Sequence, residues 1–210
     1  KPTFTLLQIK HQLMDSAEVN LDPGTLDRSG LFLFSERCVG NGVVEGLHDL
    51  VWVDPEGFDK FETPALAAEI EQLNDRFRAA GGKYVLLGPG RWGSNDQHLG
   101  IPIQWAMISC AQVIVEYAME NFQADASLGS HFFHNVTSLN IGYFTVPYPR
   151  GASVLDWDWL RQQPEVWRSG CLVHTRVEEP LHIVMDGRRS ASAIFKRTPP
   201  PVEPEAEDFL

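Results

Sequence analysis

The chain has 210 residues, which suits one large domain with small appendages. Apolar residues at 43% and charged residues at 21% are globular proportions, and 17 Gly with 14 Pro imply many turns, so a disordered chain and a helical bundle are both disfavoured. The net charge of −11 argues against nucleic-acid binding, which needs a basic surface to displace phosphate counterions.

Residues 4–9 (Phe-Thr-Leu-Leu-Gln-Ile) read as a strand, and Asp22-Pro23-Gly24 as a turn that separates this leftover N-terminal element from the body. The body opens with a β run at 31–34 and a turn at Gly40-Asn41-Gly42, followed by a second β run at 47–54 that ends at Pro55-Glu56-Gly57. A helix is predicted over 64–80: Thr63 can cap it, Pro64 suits its first position, Leu66, Ile70, Leu73 and Phe77 form one apolar face, and Gly81-Gly82 ends it. Tyr84-Val85-Leu86-Leu87 is a continuous apolar run of the kind buried on both faces of a sheet. It empties into Gly88-Pro89-Gly90-Arg91-Trp92-Gly93-Ser94.

Residues 103–111 read as helical and 113–115 as a strand, with another strand at 141–146. Ser153 is the expected cap of a short helix through Trp157 and Leu160 that Pro164 stops. Two last strands, 171–177 and 181–185, lead into an Asp186-Gly187-Arg188 turn and a strand at 193–195. The fold class is therefore α/β, a mixed sheet flanked by helices. The expected division is 1–24 as the end of a preceding domain or linker, 25–197 as the α/β domain, and 198–210 as an extended Pro-rich tail bearing Glu203, Glu205, Glu207 and Asp208.

Cys38, Cys110 and Cys171 lie far apart with no C-x-x-C pair, so neither a disulfide framework nor a thiolate metal site is expected, and a cytoplasmic setting is. The most apolar stretch, 101–115, is interrupted by Gln104, Ser109 and Gln112 and is too short for a membrane span.

The glycine segment is the strongest candidate site. A strand end followed by glycines exposes backbone N–H groups, Arg91 offers a planar fork and Ser94 a hydroxyl, so Gly88, Gly90, Arg91, Gly93 and Ser94 are expected to hold a phosphate or carboxylate. The alternative is a structural turn in which the glycines supply positive φ and Trp92 plugs the core. In Gly129-Ser130-His131-Phe132-Phe133-His134-Asn135, His131 and His134 are candidates for proton or phosphoryl transfer, His131 first, because a helix N-terminus stabilises an anion on the ring. The alternative is that both imidazoles are buried hydrogen-bonded links. No third metal ligand stands at helical spacing from them. His98 is a weaker rival, with a surface-loop alternative. Asp156-Trp157-Asp158-Trp159 reads as a half-buried helix face.

Three segments together, residues 4–10, the glycine segment with Leu99-Gly100-Ile101-Pro102, and residues 129–135 with Gly142-Tyr143-Phe144, resemble the C-terminal portion of PEP/pyruvate-binding proteins related to phosphoenolpyruvate synthase and pyruvate, phosphate dikinase. The resemblance implies a preceding ATP-grasp domain absent from this chain, ATP and Mg as cofactors of the longer protein, and a swivelling-domain-like arrangement. Gln8 and Lys10 fall where a Q-x-R-P nucleotide-binding signature would place its Gln and Arg. Lys10-His11 departs from that Arg-Pro, and the T-S-H-x-A phosphohistidine motif is absent, Gly129-Ser130-His131 coming closest. Two functions stay open: part of an ATP-dependent phosphotransferase, or a non-catalytic binding or regulatory module that keeps the anion pocket.

Overall fold

A computed structural model describes residues 19, 21–24, 26–123, 135, 136, 138, 139 and 141–197. The expectations for Gln8, Lys10, His131, His134 and the 198–210 tail lie outside these residues. In chain order the elements are β1 (Leu31–Ser35), β2 (Cys38–Val39), β3 (Gly42–Val53), α1 (Thr63–Ala80), β4 (Tyr84–Pro89), β5 (Arg91–Trp92), β6 (Gly100–Ile101) and β7 (Ala111–Tyr117). After them come β8 (Gly142–Val146), β9 (Val154–Leu155), α2 (Trp157–Arg161), β10 (Glu165–Ser169), β11 (Leu172–Asp186) and β12 (Ala191–Phe195).

Ten strands form one mixed sheet in the order β2-β8-β7-β4-β3-β11-β12-β1-β9, with β10 also on β11. β3 is its seam: β3, β4, β7 and β8 run parallel, whereas β11, β12, β1 and β9 follow in antiparallel succession. Only Glu36 and Arg37 separate β1 from β2, yet these strands stand near opposite ends of the order. Three peptide links reach at most about 11 Å, so the sheet has to curl until its ends meet. Ser35 Oγ donates to the Thr145 carbonyl at 2.7 Å, and the Thr145 N–H donates to the Arg37 carbonyl at 3.0 Å, closing the curl.

The curl explains the apolar run of β4. Val85 and Leu87 point inward with Phe32, Trp52, Val113, Val115 and Phe144, while Tyr84 and Leu86 point outward beneath Leu66, Ile70, Leu73 and Phe77 of α1. Both faces are dry, and the side-chain polar group there, the Tyr84 hydroxyl, donates to Asn74 Oδ1 at 3.0 Å. α1 ends as expected, at Gly81 with φ of 67°, whose N–H donates back to the Arg78 carbonyl at 3.2 Å. Two α-helices are described in full, so the expected helical flanks amount to α1 outside and the short α2 beside the inner core. None of the described helices is long and apolar enough to cross a membrane.

Several boundaries differ from expectation. Thr63 lies inside the helix rather than capping it, because a 3-10 turn at Lys60–Glu62 runs straight into α1 and Asp59 caps that turn, accepting the Phe61 N–H at 2.9 Å. Residues 103–111 hold only a 3-10 turn at Trp105–Ile108, since Asn74 Oδ1 takes the Cys110 N–H at 2.9 Å and Ala111 already pairs with Tyr84. Asp156, not Ser153, caps α2, accepting the Trp159 N–H at 3.0 Å, because Val154 and Leu155 are engaged by β1. The two strands expected at 171–177 and 181–185 are one strand, β11, whose register to β3 shifts between Arg176 and Leu181 around Pro180. The Asp186-Gly187-Arg188 turn forms as expected; buried Asp186 accepts the N–H groups of Arg188 and Arg189 at 3.2 Å and that of Leu21 at 3.3 Å.

Candidate functional site

The parallel strands β4, β7 and β8 all end at the same edge of the sheet, the position where open α/β sheets commonly place ligands. A cavity of about 400 Å³ sits there. Its walls include Arg37, Gly90, Glu116, Gln123, Thr145 and Tyr148. Gly90 follows β4, Glu116 and Tyr117 end β7, and Thr145 and Pro147 flank the end of β8, while Arg37 arrives from the β1-to-β2 bend. Among the described residues none forms an ion pair with the Arg37 guanidinium, which is on the cavity wall.

Beneath lies Tyr117. Burial first, with the nearby Cys171 and Asp54 adding, pushes its phenol well above its ordinary value, so it stays neutral and donates to the Val53 carbonyl at 2.6 Å. It is a structural donor rather than a base.

The glycine segment touches the cavity at Gly90, and its backbone donors point into the protein. The Gly90 N–H donates to the Tyr117 carbonyl at 3.0 Å, Arg91 to Leu99 at 2.8 Å, and Gly93 to Ile101 at 2.9 Å. The Trp92 N–H goes to Glu116 Oε1 at 2.9 Å. Trp92 is buried at 1% exposure, and its indole N–H donates to the Val115 carbonyl at 3.3 Å. Gly90 has φ of 65°, and a Cβ there would strike the Phe122 ring and the Leu99 carbonyl; at Gly88 a Cβ would run into the Trp92 indole. The Ser94 hydroxyl closes a local turn, accepting the Asp96 N–H at 3.2 Å. Arg91 is half-buried and pairs β5 with Gly100 of β6. Of Gly88, Gly90, Arg91, Gly93 and Ser94, the structure places Gly90 alone on the cavity wall. These are the features of the turn in which Trp92 plugs the core.

His98 is exposed, with Nδ1 at 3.1 Å from Lys60 Nζ. Trp157 and Trp159 are half-buried against the inner core, as a packing face should be. The three thiols are free, and Cys38 and Cys110 are buried. Among the described residues no group of three or more His, Cys, Asp or Glu is placed to hold a metal ion.

Sequence reasoning missed Arg37, Glu116, Thr145 and Tyr148. Glu116 carried a signal, being a carboxylate inside the otherwise apolar end of β7. The others carried none, because their proximity depends on the closure of the curl. Family models, curated proteins and solved structures were compared with the chain, and none matches it significantly.

Proposed function

We propose that this chain is a small-molecule-binding module whose ligand carries a phosphate or carboxylate group and sits at the C-terminal ends of β4, β7 and β8. The observation that carries the reading is the position of Arg37: a guanidinium with no ion-pair partner among the described residues, on the wall of a cavity at the carboxyl edge of parallel strands. A guanidinium meets an acid group through two parallel N–H donors. Glu116, on the wall of the same cavity, is a carboxylate that holds the Trp92 N–H.

A second reading follows the family resemblance. In it the chain is the C-terminal part of a phosphoenolpyruvate-synthase-like phosphotransferase, swivelling against an ATP-grasp domain that binds ATP and Mg with help from Gln8 and Lys10. One observation favours it: Gln123, on the cavity wall, leads directly into the stretch that contains His131 and His134.

Calorimetric titration with phosphate, phosphoenolpyruvate and ATP tests both. Loss of a charge-assisted hydrogen bond costs about 1.5–3 kcal/mol, so Arg37→Gln should weaken binding at least about tenfold. Binding that survives Arg37→Gln but fails in Arg91→Ala would move the site to the glycine segment. The phosphotransferase reading requires acid-labile phosphate on the longer protein after incubation with ATP and Mg, abolished by His131→Ala or His134→Ala.

A further inference from the structure

A second cavity, of about 560 Å³, lies between the C-terminal half of α1 and the strands β10 and β11. Its volume falls within the range of small-molecule sites, about 300–1,000 Å³. Its walls are aromatic and aliphatic: Phe77 and Leu73 from α1, Val166 and Trp167 from β10. Val166 is 55% exposed and Trp167 half-buried, so the apolar surface is open to an incoming molecule. Phe77 meets the His174 ring edge-on with centroids 5.1 Å apart.

The charges in this cleft do not cancel. Asp49, 8% exposed, contacts His174 Nε2 at 2.8 Å through one oxygen and accepts from the Arg176 guanidinium through the other. Its charge is thus matched by Arg176 alone, whatever the state of His174. Arg76 is additional. Its guanidinium lies over the Trp167 ring, 5.5 Å from the centroid, and no described carboxylate pairs with it. A chain with a net charge of −11 therefore holds a locally positive cleft walled by aromatic rings.

We propose that the cleft between α1 and β10–β11 binds a small planar aromatic anion, with its ring against Trp167 and Phe77 and its acid group on Arg76. The apolar walls remove the ring from water, and the guanidinium, beside the Trp167 ring, supplies a planar pair of donors to the acid group. A ring without an acid leaves the cleft's charge unanswered, and an acid without a ring leaves the walls wet.

Titration of the chain with naphthoate, its neutral counterpart naphthamide, and acetate tests this by calorimetry. Naphthoate should bind about tenfold or more tightly than naphthamide, the size of one charge-assisted contact, and acetate should not bind measurably. Arg76→Gln, an exposed helix position changed to another good helix former, should erase that preference with the melting temperature unchanged. Trp167→Leu should weaken both aromatic probes, and Arg37→Gln, in the other cavity, should change neither. Equal affinity for naphthoate and naphthamide, a preference that survives Arg76→Gln, loss of binding in Arg37→Gln, or no binding at millimolar naphthoate would each overturn the proposal.

Discussion

Replacing Glu116 tests its hold on the Trp92 backbone. Its side chain is 3% exposed, and Oε1 takes the N–H of Trp92, a residue itself buried at 1% exposure. Glu116→Ala removes the side-chain acceptor and leaves a buried N–H unpaired, so about 1–3 kcal/mol is expected. Relief from burying a carboxylate works the other way, and replacement of fully buried ion pairs can even stabilise. Here the Trp92 N–H would be left buried and unpaired, so the loss dominates. Glu116→Gln keeps an oxygen for Trp92 and should cost less than about 1 kcal/mol. In urea, at a slope of about 2–3 kcal/mol/M, the alanine variant should unfold about 1 M earlier and the glutamine variant close to the parent. If Gln proves as destabilising as Ala, or Ala costs under about 0.5 kcal/mol, the assignment of Glu116 as the anchor of the Trp92 backbone is refuted.

Four further outcomes follow from the packing and charges. Burial raises the Asp49 carboxyl, but the hydrogen bonds from His174 and Arg176 outweigh it and hold the group below its ordinary value; its stabilisation is complete above the ordinary carboxylate pKa of about 3.9 and is lost as pH falls through the lowered one. Asp49→Asn should flatten that acid limb in urea midpoints measured against pH, and an unchanged limb would disprove the coupling. Burial, with the Asp186 carboxylate adding, pushes the Cys38 thiol up to about 12, so at pH 8 iodoacetamide should label half-buried Cys171 first and reach Cys38 only in denaturant, as read by peptide mass spectrometry. Gly100→Ala drives a Cβ into the Arg91 carbonyl and should cost about 3 kcal/mol, or about 6–12 °C in melting temperature. Gly30→Ala, with open space around it, should stay within about 0.5 kcal/mol by the same thermal melt.

The sequence by itself determined the elements whose neighbours are local. The four-three-four spacing of Leu66, Ile70, Leu73 and Phe77 is a property of one helix face, and Gly81 ends it through its own φ. The unbroken Tyr84 to Leu87 run announced a strand buried on both sides, because water on either face would have required a polar residue there. Tertiary structure alone decided what closes against what. β10, a strand with mostly exposed side chains, forms because β11 offers it an edge, and β11 continues past Pro180 because β3 pairs with it on both sides of the irregularity. The N–H groups of residues 90–93 were legible as donors, but their acceptors on Leu99, Ile101, Glu116 and Tyr117 were not, and those acceptors turn the segment inward. Arg37, Glu116 and Thr145 share a cavity only because two residues carry the chain from one end of the sheet to the other, and a constraint between distant strands leaves no period in the sequence to read.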